Sequence, residues 1–364
     1  MPTKTVLVAG ATGLVGHAAM QHFANLPDTN VIAVSRRKPG ETFGARFLSV
    51  DLQDRAKCAE IFGAMPDVTH VVYAALYEKA GLVAGWRADD QIAINDAMLR
   101  NLMDPLLGIA KDMRHVSLLQ GTKAYGSHVR PMKYPAREGR DEARDVPNFY
   151  WQQEDYIRER QRGQSWVFTI FRPVLICGYS LGAAMNLIPA IGVYAAFLKE
   201  RGEPLHFPGG PGRVSQAVDA GLLARAMAWA GETDKARNEA FNVANGDVFS
   251  WPNVWPAIAE AVGMKPGDER PMSLATEIAP REDEWQRIVT KNGLSAPDLK
   301  QLVGLSFEYA DWQMNYGRTK PAPVSYSSTI KLMQAGFTEV MDTEVMLASA
   351  IREFQRRRLL PAPR

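Results

Sequence analysis

A short apolar run, Thr5–Ala9, leads without interruption into Gly10-Ala11-Thr12-Gly13-Leu14-Val15-Gly16, where a helical pattern begins. This G-x-x-G-x-x-G turn constrains the fold more than any other feature of the chain. Gly10 allows a tight turn, Gly13 allows the backbone to approach a pyrophosphate, and Gly16 allows the new helix to pack closely on the sheet. The start of that helix presents free N–H groups to an anion. Three spaced glycines alone are weak evidence. Their place between a strand and a helix, within the first twenty residues, is the context that gives the pattern meaning.

The chain then alternates short apolar runs with helical stretches. Asn30–Ser35, Phe47–Leu52, Thr69–Ala75 and His115–Leu119 are predicted strands, Trp166–Ile176 reads as a sixth strand with its exit loop, and Phe241–Val243 is a late strand returning to the same sheet. Leu14–Leu26, Arg55–Ala64 and Asp89–Lys111 are the helices between them. Repeated strand–helix units of this length predict an α/β fold, a Rossmann-type doubly wound parallel sheet. Beyond about Gly178 the pattern becomes mainly helical and irregular. Residues 1–180 are therefore expected to form the dinucleotide-binding core. Residues 181–364 are expected to form a smaller, mainly helical substrate-binding region, with about 238–250 returning to the core sheet.

Composition narrows the partners. Lys and Arg number 42 against 40 Asp and Glu, a net charge of +2, which argues against a nucleic-acid or other polyanion binder. The 2 cysteines, Cys58 and Cys177, supply neither a disulfide framework nor a zinc site. No metal site is expected. No apolar stretch is long enough for a membrane span. The expectation is a cytoplasmic, reduced protein.

The end of the second strand addresses the cofactor. A chain that prefers NAD places Asp or Glu there for the ribose 2′-hydroxyl, whereas this one reads Ser35-Arg36-Arg37. Two cations suit a 2′-phosphate, so NADP(H) is expected; the alternative is that both arginines are plain turn residues. Asp51-Leu52 at the third strand is placed for the adenine amino group. Tyr73-Ala74-Ala75 at the fourth offers small residues where a cofactor would pass.

The Tyr-x-x-x-Lys helix common to short-chain dehydrogenases is absent: Tyr125 is followed four residues later by Val129, Tyr150 by Glu154 and Tyr156 by Arg160. Two other segments stand out, Leu119-Gln120-Gly121-Thr122-Lys123-Ala124-Tyr125 and Asn148-Phe149-Tyr150-Trp151-Gln152-Gln153-Glu154-Asp155, with Asn148 a candidate helix cap. Together with Phe171-Arg172-Pro173, Cys177-Gly178-Tyr179-Ser180, Met185-Asn186-Leu187, Asn238–Phe249 and Asn292-Gly293-Leu294, they resemble the progesterone 5β-reductase/iridoid synthase-like (PRISE) family of extended short-chain dehydrogenases. The resemblance runs from about residue 5 to about residue 360.

That resemblance implies Lys123 and Tyr150 as the catalytic pair, although 27 residues separate them. It implies cofactor contacts from Gln120, Lys123, Tyr150, Pro173, Val174, Ile176 and Ser180, beside Gly10, Thr12, Gly13, Leu14, Val15 and Gly16. Phe149, Tyr179, Met185 and Arg213 are the implied substrate-pocket residues. The implied reaction is NADPH-dependent 1,4-reduction of an α,β-unsaturated ketone or aldehyde, with a homodimer as the implied assembly. A carbonyl reductase using the same tyrosine, and a non-catalytic NADP(H)-binding sensor, are the alternatives. The chain departs from the family pattern over Tyr77–Asp90, at Ala124 for a histidine, at Trp151 for a second tyrosine and at Leu181 for a proline. Steroid, monoterpene dialdehyde and small enone substrates all stay open.

Overall fold

The computed structural model describes residues 4–79, 81 and 85–363. Part of the divergent Tyr77–Asp90 stretch, at 80 and 82–84, lies outside the described residues, as do Met1–Thr3. The chain divides into two compact units, the first comprising Met1–Val174, Ala220–Val243 and Ser327–Glu339, the second Leu175–Asp219, Ala244–Tyr326 and Val340–Arg364.

In the first unit β1 (Lys4–Ala9), α1 (Leu14–Ala24), β2 (Thr29–Ser35), β3 (Arg46–Ser49), α2 (Arg55–Phe62), β4 (His70–Tyr73), α3 (Asp89–Ile109) and β5 (His115–Leu119) follow one another. A 3-10 turn, Thr122–Tyr125, leads towards α4 (Phe149–Gln161) and β6 (Val167–Pro173). In the second unit lie β7 (Leu175–Cys177), α5 (Leu187–Glu200), β8 (Leu205–Phe207) and β9 (Ala217–Asp219). The first unit is completed by α6 (Ala220–Ala230) and β10 (Glu239–Val243). Its seven strands form one parallel sheet in the order β10-β6-β5-β4-β1-β2-β3. The Rossmann-type architecture is as expected.

The cause is visible strand by strand. Val6, Leu7, Val8 and Ala9 are all fully buried, because helices cover both faces of β1. Leu7, Val34, Val71, Val116 and Ile170 share a core with Phe62 of α2, Leu99, Leu102 and Leu106 of α3 and Tyr156 and Ile157 of α4. On the other face α1 packs along α6. Side-chain caps start two of these helices: Asp54 accepts from the Lys57 N–H at 2.9 Å, and Asn148 accepts from the Tyr150 N–H at 3.2 Å, as expected for that asparagine.

Two strands differ from the sequence reading. The third ends at Ser49, so Asp51-Leu52 follows the strand instead of closing it. Asp51 there accepts from the Gln53 N–H at 3.0 Å in a local turn that competes with the ladder. The Trp166–Ile176 run is two strands, not one with a loop: β6 stays in the large sheet, and Leu175–Cys177 pairs instead with Ala217–Asp219. Pro173, which has no N–H to extend a ladder, marks the break. The return to the sheet is confined to Glu239–Val243.

The second unit continues through α7 (Trp251–Ala261), β11 (Pro266–Glu269), α8 (Leu274–Glu277), α9 (Glu282–Lys291), α10 (Leu299–Val303) and α11 (Ser306–Gln313). After α12 (Ile330–Ala335) in the first unit, α13 (Thr343–Arg356) ends the second. Every residue from Leu187 to Leu198 is buried, so α5 is the unit's central helix, with α9, α10, α11 and α13 packed against it. Trp255 and Trp285 are buried with their indole N–H groups donating to the Leu205 and Pro297 carbonyls, both at 3.0 Å. Among the described residues no helix is long and apolar enough to cross a membrane, and no group of His, Cys, Asp and Glu could hold a metal ion.

Candidate active site at the carboxyl edge of the sheet

The loops that leave the carboxyl ends of β1, β4 and β5 are neighbours because their strands are neighbours in the sheet. Open α/β sheets bind ligands at this edge. Gly10 has φ +84, and a Cβ there would lie 2.6 Å from the Ala74 carbonyl oxygen. Only glycine fits. At Gly16 a Cβ would lie 2.1 Å from the Gly10 carbonyl oxygen, so the first turn of α1 closes directly on the glycine turn. No side chain caps α1 at Gly13. Its first-turn N–H groups are then available to a phosphate, and Leu14 and Val15 sit buried at that same turn. Thr12 is partly exposed beside them. These features fit a dinucleotide pyrophosphate.

Beyond β2, Ser35 is buried and its hydroxyl donates to the Arg37 carbonyl at 2.6 Å, which fixes the turn. Arg36 and Arg37 are exposed, with neither side chain in an ion pair among the described residues. Asp51 is exposed and Leu52 is buried. The Tyr73 ring belongs to the core, where burial pushes its phenol far above the ordinary range. What Tyr73 can offer a ligand is its backbone; Ala74 and Ala75 are partly exposed beside it.

Lys123 and Tyr150 come together, one from the 3-10 turn after β5, the other from the first turn of α4. The Lys123 ammonium lies 5.6 Å from the centre of the Tyr150 ring, 5.6 Å from that of Phe149 and 4.6 Å from that of Trp86. A side chain at Gly121 would lie 3.3 Å from the Tyr150 hydroxyl and 3.5 Å from the Pro173 carbonyl oxygen, so glycine leaves the phenol its space. The Lys123 Nζ is 4.0 Å from Glu78 Oε1, with side chains only 12% and 7% exposed. Burial pulls the Lys123 ammonium below its ordinary range, and Glu78 opposes the pull. Burial likewise pushes the Glu78 carboxyl up, against Lys123 and a 2.9 Å hydrogen bond from Gln91.

Behind the pair lies a second polar cluster. The Gln120 side chain donates to Glu154 at 2.9 Å and to the Tyr150 carbonyl at 3.3 Å, and accepts from Arg172 at 2.8 Å. Arg172 also donates to Glu142 at 2.7 Å and to the Tyr125 hydroxyl at 3.3 Å. Glu154, one turn beyond Tyr150, thus serves this network, which holds α4 against β5 and β6.

The remaining sequence candidates divide between the units. Pro173 is buried and Val174 partly so at the end of β6 in the first unit. Ile176, Tyr179, Ser180, Met185 and Arg213 belong to the second. There the Tyr179 ring packs against Phe354 and under the Arg357 guanidinium at 4.0 Å. The Ser180 hydroxyl accepts from Asn186 at 3.1 Å. Ile176 lies in β7, and Met185 is partly exposed just before α5. Arg213 donates to Gln313 at 3.0 Å and lies over Trp312.

The sequence reading missed Glu78, Trp86 and His128. His128 has both ring nitrogens buried without a hydrogen-bond partner among the described residues, and its ring meets Trp86 edge to face at 6.3 Å. Glu78 and Trp86 sit in the stretch with no periodicity. The one available signal was position: an acidic residue just past β4, at the edge where ligands bind.

With this geometry in view, similarity to known proteins becomes informative. The sequence model of the PRISE-like Rossmann-fold domain matches residues 51–320. An (S)-8-oxocitronellyl enol synthase of Nepeta racemosa is 31% identical over 318 residues, 81% of this chain and 78% of its own. A 3-oxo-Delta(4,5)-steroid 5-beta-reductase of Arabidopsis thaliana is 30% identical over 320 residues, 82% and 80% of the two chains. Among solved structures, a UDP-glucose 4-epimerase of Brucella ovis superposes with a TM-score of 0.66 at 16% identity, covering 99% of this chain and 100% of its own, a likeness of fold. On the family match and these relatives, the chain belongs to the PRISE-like Rossmann-fold family.

Proposed function

We propose that this protein is an NADP(H)-dependent oxidoreductase that reduces the C=C bond of an α,β-unsaturated ketone or aldehyde. The observation that carries the reading is the meeting of Lys123 and Tyr150 beside the glycine turn at one edge of the sheet. The names of the relatives support it, one being a steroid 5-beta-reductase and another an enol synthase.

The glycine turn and the uncapped start of α1 would hold the pyrophosphate, Arg36 and Arg37 a 2′-phosphate, and Asp51 the adenine amino group. When bound, the cofactor supplies hydride to the substrate's β-carbon. The protein's task is the charge that then appears on the substrate carbonyl oxygen. Tyr150 donates a hydrogen bond to that oxygen and stabilises the enolate. Lys123, charged and next to the phenol, favours the build-up of negative charge there. Gln120 pins the Tyr150 backbone and so sets the height of the phenol. The first unit is assigned the cofactor and the chemistry. The second, which carries Tyr179, Met185 and Arg213, is assigned substrate binding.

The test is NADPH consumption with a panel that includes 2-cyclohexenone and progesterone, followed by identification of the product. A saturated ketone is the expected product. An alcohol would assign 1,2-reduction instead, and cofactor binding without turnover of any enone or carbonyl compound would overturn the catalytic reading.

A further inference from the structure

A lysine buried among aromatic rings tends to lose its proton, because the rings and backbone around it solvate the ammonium less well than water does. Lys123 is in that position, with Trp86, Phe149 and Tyr150 around it. Ring faces attract a cation but supply no counter-charge. An oxyanion-stabilising site needs the opposite outcome, a lysine that stays charged. Glu78 reaches it from the far side, buried, with Oε2 held by Gln91 and Oε1 facing Lys123 at 4.0 Å without a hydrogen-bond partner among the described residues.

We propose that Glu78 is the counter-charge that keeps the Lys123 ammonium protonated beside Tyr150, and is thereby a positioning residue for the reaction. The inference rests on the reductase reading for what the charge is used for; the charge itself can be read without turnover. Among the described residues, the other titratable or charged groups around Lys123 are Tyr150 from α4, His128 from the turn after the 3-10 helix, and Arg87 beyond His128. Burial, and then Lys123 and Arg87, hold His128 near 4, so at neutral pH it is uncharged. Glu78 is therefore the negative group facing the ammonium. At 4 Å inside a protein, one opposite charge moves a titration by more than one pH unit. The divergent stretch after β4 is where this chain builds the partner of its lysine.

The experiment follows the Cε signals of protein carrying ¹³C-labelled lysine between pH 6 and 11, with Lys123→Arg identifying the signal of Lys123. In Glu78→Gln, the Lys123 signal is expected to titrate at least one pH unit lower than in the unaltered protein. Glu78→Asp keeps the charge and is expected to restore most of the difference. The basic limb of kcat/KM for an enone should move down by the same interval in Glu78→Gln and recover in Glu78→Asp. Titration of Lys123 at the same pH in all three proteins would overturn the pairing. A shifted lysine with an unmoved basic limb would overturn its role in the reaction. Absence of turnover in the unaltered protein would sink the reductase reading, while the lysine titration still decides the pairing.

Discussion

Two buried cations stand on the same sheet and are served very differently. Arg172 is 2% exposed and has a partner for each face of its guanidinium: Gln120 at 2.8 Å, Glu142 at 2.7 Å, the Tyr125 hydroxyl at 3.3 Å and Glu154 at 3.5 Å. Lys123 has one carboxylate at 4.0 Å and three aromatic rings. Both pay attention to the same neighbour, Tyr150, one through its backbone and the other through its ring. The difference teaches where strength and where chemistry reside. A saturated cation fixes geometry, since every donor is committed. A sparsely partnered cation keeps donor capacity and charge for a ligand.

The sharpest way to break this comparison is to remove the saturated cation. Arg172→Met leaves Glu142 and Glu154 buried with fewer partners, and removing one side of a buried pair costs about 3–5 kcal/mol. Urea unfolding should show that loss. Lys123→Met, by contrast, should leave the midpoint close to that of the unaltered protein while abolishing most turnover. Equal stability loss in the two variants would erase the distinction. The next effect in size is on the phenol. Tyr150→Phe keeps the ring against Phe149, 4.8 Å away, and removes only the hydroxyl. Loss of one oxyanion donor lowers kcat by about 10²–10³, or ~2.7–4 kcal/mol. The change should appear in kcat with cofactor affinity unaltered, and unchanged kcat would remove Tyr150 from the chemistry.

The two clusters were unequally legible in the sequence. The glycine turn was readable because its requirement is local: Gly10 has a positive φ and meets Ala74, and a strand-to-helix turn advertises both. The parallel sheet was readable because continuous apolar runs such as Thr5–Ala9 suit strands covered on both faces. Lys123 and Tyr150 were reachable only through family resemblance, because a 27-residue separation closes in space through β5, β6 and α4. Glu78 was not readable at all. A glutamate in an aperiodic loop has the same local pattern whether it faces water or a buried lysine. Arg172 was quoted only as part of a motif, since nothing in Phe171-Arg172-Pro173 foretells four partners drawn from residues 120 to 154. The strand break at Pro173 was signalled by the proline and still read through, because the apolar run continues past it.

The opposite end of the sheet sharpens the comparison, since it buries titratable groups that stay neutral. His70 and His115 sit side by side on β4 and β5, 5% and 3% exposed, with Thr69 at 2.8 Å from one ring and Thr169 at 2.9 Å from the other. Burial is the main cause that brings His70 down to about 4 and His115 to about 3. Unfolded histidines titrate near 6.5, so the unfolded chain binds protons first as pH falls. The stability from these neutral rings is whole above about pH 6.5 and is lost as pH falls from there towards 4 and 3, a slope summing to about 2–3 kcal/mol by pH 4.5. His115→Gln, which can keep the Thr169 hydrogen bond, should flatten that slope in urea unfolding at pH 7.5 and pH 5. An unchanged slope would mean that other groups carry the acid sensitivity.

The smallest expected effect concerns cations that are not buried at all. Arg36 and Arg37 lie exposed past β2, where water already solvates them well. A contact to a 2′-phosphate there is charge-assisted, yet salt-screened and partly offset by the water it displaces. Arg36→Ala should therefore raise the KM for NADPH about tenfold, ~1.4 kcal/mol, with little change in kcat and none in the KM for NADH. Folding stability should stay within about 0.5 kcal/mol, as for other exposed substitutions. The effect should shrink as salt rises, which the interaction of Lys123 with Glu78 should not, because a buried pair is screened far less than an exposed one. Equal KM for both coenzymes before and after the substitution would show that the exposed arginines are turn residues, and that the cations which matter in this chain are the buried ones.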